Sequence, residues 1–108
     1  MRWYDALWVG RKAARKKRRI ISAVKNRERM AGVYLITLAQ NPSELLDIIP
    51  SGMLASPAFP ADELFVLGIA AGRQEAFELV EKMVDYIYRE TNALDIRSYF
   101  SEKLMNAD

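Results

Sequence analysis

Apolar and basic positions near the start of the chain recur at the spacing of an α-helix. Placed at 100° steps, the residues from about Trp3 to Arg29 separate into two sides. The apolar side contains Trp3, Leu7, Gly10, Ala14, Ile21 and Val24. The basic side contains Arg11, Lys12, Arg15, Lys16, Arg18 and Arg19. This pattern predicts one amphipathic helix over the whole segment, with Gly32 as its stop.

Two apolar stretches further along predict strands. Residues 32–39, GVYLITLA, and residues 64–70, LFVLGIA, are apolar on both alternating faces. Strands of this kind are covered by helices on both sides, as in parallel α/β sheets. Between them, Asn41 as a cap and Pro42 in the first turn predict a helix that runs to about Ile49. The order strand, helix, strand therefore predicts a parallel βαβ pair.

The strongest helical pattern lies between Arg73 and Arg89, with Asn92 as a left-handed end. Its predicted buried face contains Ala76, Phe77, Val80, Met83, Val84 and Ile87. Residues 94–105 fit either a short helix capped by Asp95 or a third strand, and we favour the helix.

The expected fold is a small single α/β domain over residues 1–108 with the order α-β-α-β-α. It consists of a basic amphipathic helix over 1–30 and an acidic βαβα body over 31–108. Two strands make a poor sheet by themselves. We therefore expect the sheet to be extended across a homodimer or by a third strand near the C-terminus.

The formal net charge of +2 conceals a strong asymmetry along the chain. Residues 1–30 contain 11 Lys or Arg and 2 Asp or Glu, whereas residues 31–108 contain 5 and 12. Such asymmetry is typical of proteins that meet a polyanionic partner. The alternative interpretation is that the basic helix contacts an acidic protein surface, of its own chain, of a second subunit or of another partner.

Composition narrows the chemistry further. The chain has no Cys and no His, which excludes disulfides, thiolate nucleophiles, Cys/His zinc sites and imidazole acid–base catalysis. The carboxylates and serines form no recognisable catalytic motif, so we expect no enzymatic activity, cofactor or metal. The longest apolar run, residues 64–71, is far shorter than the roughly 20 residues of a membrane span. We therefore expect a cytoplasmic location and no membrane partner.

Two sets of residues are candidate binding sites. The first is the basic face, Arg11, Lys12, Arg15, Lys16, Arg18 and Arg19, with Trp8 as a ring for stacking bases. The second lies at the predicted carboxyl ends of the two strands, where α/β proteins bind ligands. It consists of Gln40, Asn41, Gly72, Arg73 and Gln74, without a dinucleotide-binding or Walker A motif.

These observations rank three functions. The first is a small, non-enzymatic α/β interaction module that self-associates, with its basic helix on an acidic surface of a subunit or partner. The second is a nucleic-acid-binding protein of weak sequence specificity that uses the basic helix. The third is a phosphate- or nucleotide-binding subunit that uses the strand ends.

Overall fold

The chain begins with a strand, not with the predicted helix. A computed structural model describes the backbone of residues 1–41 and 43–106 and the side chains of residues 1–41 and 43–101. Strand β1 spans Arg2–Val9. Trp3, Leu7 and Val9 pack against one cluster of buried residues, while Tyr4 and Trp8 pack against another. The segment is apolar on both sides, so a strand buries more of it than a helix with one covered face.

In the described part of the chain, four helices and three further strands follow β1. Helix α1 spans Arg11–Ala14 and α2 spans Lys17–Lys25, with a break at Arg15 and Lys16. The other regular elements are β2 (Val33–Leu38), β3 (Leu46–Pro50), β4 (Phe65–Ala71), α3 (Arg73–Thr91) and α4 (Ile96–Asn106). Short 3₁₀ turns, Ser51–Ala55 and Ala61–Glu63, lie between β3 and β4.

The four strands form one mixed sheet in the order β1-β4-β2-β3. Strand β1 runs parallel to β4, whereas β2 is antiparallel to both β4 and β3. The predicted parallel pairing of β2 with β4, and with it the order α-β-α-β-α, is wrong. The sequence pattern did not reveal strand β1, and it is β1, not β2, that pairs in parallel with β4.

The helix predicted from Pro42 to Ile49 is also wrong, and Pro42 itself lies outside the described residues. The side-chain oxygen of Asn41 accepts a hydrogen bond from the backbone N–H of Ser43 at 3.0 Å, which closes a turn. Strand β3 follows, with Ile48 opposite Ile36 of β2. Short apolar runs such as LLDII fit both periodicities, and here pairing with β2 selects the strand.

Helices cover both faces of the sheet. On one face, α1 and α2 insert Ala13, Ile20 and Val24 among strand residues such as Leu35 and Val66. On the other face, α3 and α4 bury a larger set against the sheet: Ala76, Leu79, Met83, Ile87, Ile96 and Phe100. The result is a three-layer mixed α/β domain with a radius of gyration of 13.3 Å, as expected for one compact unit of this length.

Several local predictions are confirmed. Strands β2 and β4 and helix α3 lie where the pattern placed them, and α3 ends at Asn92 with a left-handed φ of 58°. The tail forms a helix, with the Asp95 carboxylate accepting the N–H of Ser98 at 3.1 Å as its cap. Within the described ranges, no helix is long and apolar enough to span a membrane.

Candidate functional site

The carboxyl ends of β1 and β4 meet at one edge of the sheet. Each strand runs into a glycine and then a helix, Gly10 before α1 and Gly72 before α3. The Gly10 N–H donates to the carbonyl oxygen of Ile69 at 2.9 Å, so the first junction is fastened to β4. The carboxyl ends of neighbouring parallel strands are where α/β folds place their ligands.

Glu75 joins these two junctions. Its carboxylate accepts the backbone N–H of Lys12 at 2.5 Å and that of Ala71 at 2.6 Å. The side chain crosses directly over Gly10, where an added Cβ would overlap the carboxyl group. A larger residue at position 10 would force the Glu75 carboxyl group to move, so Gly10 is compatible with this bridge.

The environment of Glu75 keeps it ionised. Partial burial acts to raise the pKa of its carboxyl group, but backbone N–H groups of Lys12, Ala71 and Ala13 oppose this, with help from the Lys12 charge. The net result is a pKa below the ordinary value of 4.5. At neutral pH the group is therefore an anion that bridges the start of α1 and the end of β4.

A cleft lies beside Glu75, between the first turn of α1 and the side of α3. We call it the strand-end cleft, and its volume is about 530 Å³. Its lining includes Trp8, Arg11, Lys12, Gln74, Glu78 and Lys82. The Trp8 ring is half-buried and meets the Tyr86 ring edge-to-face, with centroids 5.4 Å apart. The cleft therefore combines one aromatic wall with a polar, mixed-charge rim.

The predicted basic face is a continuous exposed surface. Its members, Arg11, Lys12, Arg15, Lys16, Arg18 and Arg19, together with Lys17, are all exposed on α1, on α2 and at the break between them; we call this the basic surface. None of them forms an ion pair with any side chain that the structure describes. The nearest ion pair along the chain joins Arg27 to Asp62 at 3.1 Å.

The alternative interpretation, a contact between the basic segment and acidic residues of its own chain, is seen at Lys12, whose backbone N–H donates to Glu75 of α3 and whose charge helps to lower the pKa of that carboxyl group. Helices α2 and α3 cover opposite faces of the sheet, since Leu35 packs with the first and its neighbour Ile36 packs with the second. Except at the strand-end cleft, where Arg11 and Lys12 lie near Glu75 and Glu78, the sheet lies between the basic helices and the acidic residues of α3.

Trp8 occupies a different place from the one predicted. It belongs to β1, not to the basic helix, and packs on the α3 side of the sheet. The strand-end cleft nevertheless brings its ring together with Arg11 and Lys12. The other four predicted basic residues lie further along, at and after the end of α1.

The second predicted site is divided by the antiparallel pairing of β2 with β4. Gln40 and Asn41 follow the carboxyl end of β2, which lies at the opposite sheet edge from Gly72. The Gln40 N–H donates to the Asp47 carboxylate at 3.3 Å, and the Arg73 guanidinium lies 5.6 Å from the centre of the Phe77 ring. Of the five residues, Gln74 alone is in the strand-end cleft.

Sequence reasoning missed Gly10, Glu75 and Lys82 as site residues. A signal was present, because an apolar run followed by Gly-Arg occurs twice, as WVGR and AAGR. Two such junctions are expected when two strands end side by side and each leads into a helix. Across residues 1–41 and 43–101, no three acidic side chains gather in a way that would hold a metal ion.

Comparison with known proteins does not assign a function to this site. No family model, no curated protein and no solved structure matches the chain. Function is therefore inferred from the strand-end cleft and the basic surface.

We expect Glu75→Gln to lower the free energy of unfolding at pH 7 by about 1–3 kcal/mol, because charge-assisted bonds to two backbone N–H groups are weakened. A depressed pKa in the folded state stabilises the fold above the ordinary value of 4.5, and this stabilisation is lost as the pH falls through the folded-state pKa. Urea unfolding at pH 7 and about pH 3 should show the difference between parent and variant shrinking in acid.

Glu81→Gln is the matched control, since Glu81 is exposed on the same helix. It should leave the stability within about 0.5 kcal/mol of the parent. An equal effect of Glu75→Gln at both pH values would contradict the bridging role.

Proposed function

We propose that the protein binds nucleic acid through its basic surface, by contacts with the phosphate backbone. One observation supports this most: all six predicted cations are exposed, and none of their side chains forms an ion pair with a described acidic side chain. From Arg11 to Arg29 the chain carries ten Lys or Arg and one acidic residue, Glu28. This density on one outer layer is the electrostatic pattern typical of nucleic-acid-binding domains.

The physical basis is the mutual repulsion of neighbouring cations. Like charges close together destabilise a surface unless counter-ions or a polyanion neutralise them. Phosphates do so with a gain in entropy, because condensed counter-ions are released from the nucleic acid. Contacts with phosphates involve no base, so this surface supplies affinity and not sequence specificity.

Removing three of these charges should weaken binding and flatten its salt dependence. We expect the variant Arg15→Gln, Arg18→Gln, Arg19→Gln to reduce the slope of log K against log salt by about 2 for a single strand, since each phosphate contact contributes roughly 0.7. The measurement is fluorescence anisotropy of a labelled oligonucleotide at several salt concentrations.

The control variant also removes three positive charges, by Arg2→Gln, Arg73→Gln and Arg89→Gln. All three residues are exposed and lie outside the basic surface. This variant should keep the parent's slope. Equal losses in both triple variants would show a general charge effect, and no binding by the parent at low salt would overturn the proposal.

Self-association is a second candidate, supported by a separate surface. The outer side of α3 exposes Phe77 and Tyr88 at 49% each, and Leu94 beyond the helix is 50% exposed. With the half-buried Val80 and Val84 they form what we call the α3 apolar patch. The sequence predicted Phe77 to be core, whereas the structure leaves it at the surface. Exposed apolar patches typically mark contacts with other molecules.

If this patch carries a homodimer, Phe77→Gln with Tyr88→Gln should shift the protein from dimer to monomer, because both rings are needed to bury the patch. Sedimentation equilibrium measures the change, with Met53→Gln as a control at a 47% exposed position outside the patch. A parent that is monomeric at high concentration would rule this candidate out.

A further inference from the structure

We propose that the strand-end cleft binds one unstacked nucleobase, so that the ligand is single-stranded nucleic acid. This inference rests on the proposed function of the basic surface. It adds a place for a base beside the phosphate contacts, and therefore predicts a preference for one form of nucleic acid and for certain bases.

The cleft and the basic surface are continuous. Arg11 and Lys12 belong to the basic surface and also line the cleft. From there the cations continue through the break between α1 and α2, where Arg15 and Arg18 line a second, shallow depression. A strand whose phosphates follow this line would have its next base at the mouth of the cleft.

The wall of the cleft suits an aromatic ligand. Trp8 is half-buried, and the edge-to-face contact with Tyr86 supports it from the side of α3. A ring held in place in this way loses little conformational freedom when a base stacks on it. The cleft volume of about 530 Å³ lies within the usual range for sites that enclose small ligands.

The polar rim can read the edge of a base. The Gln74 side-chain N–H donates to Glu78 at 3.2 Å, which positions both groups, and Lys82 adds a donor on the same rim. A carboxylate accepts hydrogen bonds and cannot donate them. Glu78 therefore favours the exocyclic amino groups of adenine, cytosine and guanine over the carbonyl groups of thymine and uracil.

Glu75 does not compete for this role. Its two carboxylate oxygens already accept the backbone N–H groups of Lys12 and Ala71.

A cleft that takes a single base does not accept a duplex. A base that is paired and stacked cannot enter the cleft without leaving the double helix.

The test uses Trp8 as its own reporter. The chain has two tryptophans, and Trp3 packs on the opposite face of the sheet with the Lys25 ammonium 5.7 Å from its ring centre. In a Trp3→Phe protein, Trp8 fluorescence is measured together with the anisotropy of labelled oligonucleotides. The oligonucleotides are oligo(dC), oligo(dT), a duplex and an abasic sugar-phosphate strand of equal length.

We expect oligo(dC) to quench Trp8 at the same concentrations that raise the anisotropy. The abasic strand should bind roughly tenfold or more weakly, without quenching, because one stacked base is lost. Glu78→Gln should remove the preference for oligo(dC) over oligo(dT), measured as the ratio of the two dissociation constants, because this ratio cancels the change in net charge.

Trp8→Leu should bring oligo(dC) binding down to the abasic level, provided that its unfolding transition shows that it folds. Because Glu78 is exposed, its variant keeps the test decisive if Trp8→Leu does not fold.

Two results would overturn the inference while leaving the proposed function intact. One is equal binding of oligo(dC) and the abasic strand with no quenching of Trp8, and the other is tighter binding of the duplex than of the single strand. Absence of binding by every strand, the abasic one included, would instead show that the proposed function itself fails.

Discussion

The arrangement of the site depends on a single carboxylate. Glu75 reaches from the first turn of α3 to the backbone N–H of Lys12 in α1 and to that of Ala71 at the end of β4. It thereby fixes where α1 begins relative to α3, two helices that cover opposite faces of the sheet. The Gly10 hydrogen bond, strand pairing and the burial of Ala13 in the core also hold the junction after β1 to β4. Glu75 also lines the strand-end cleft.

The sheet divides the charges of the molecule into separate layers. Residues from Arg11 to Arg29 carry most of the positive charge and lie on one face, while the acidic side chains of α3 lie on the other. The interposed strands are apolar on both sides, so the sheet keeps the two charged layers apart except at the strand-end cleft, where Lys12 contacts Glu75. A molecule built this way presents two chemically distinct surfaces, and the strand-end cleft lies where they approach each other.

The sequence predicted elements whose signals are local. Helix α3 has a clear 3.6-residue period and a left-handed end at Asn92, and the cap at Asp95 correctly favoured a helix in the tail. Helical spacing predicts a helix over β1, because Trp3 and Leu7 continue the periodicity of the residues in α1 and α2. The actual state of β1 depends on pairing with β4, some sixty residues away, which no local pattern contains.

The same distinction applies to the site. Amphipathic spacing correctly predicted that the basic residues are exposed and that Val24 is buried. The buried side otherwise contains Ala13 and Ile20, whereas Ala14, which was predicted on the apolar side, is exposed. The role of Glu75 could not follow, because helical spacing leaves it outside the predicted buried face of α3 and its partners lie in distant parts of the chain. Gln40 and Asn41 were grouped with Gly72 through an assumed parallel pairing, and the antiparallel one separates them. Strand direction, more than strand location, decided which predicted residues meet.

The central claim is that one continuous surface, from the strand-end cleft along α1 and α2, holds a single nucleic-acid strand. An NMR titration of ¹⁵N-labelled protein with oligo(dC) tests it most directly. We expect shifts at the Trp8 indole N–H, the Gln74 side-chain amide and the backbone amides from Gly10 to Lys25. Strand β3 should remain unchanged. Shifts confined to Phe77, Tyr88 and their neighbours on α3 would contradict the account and place the contact on the opposite face.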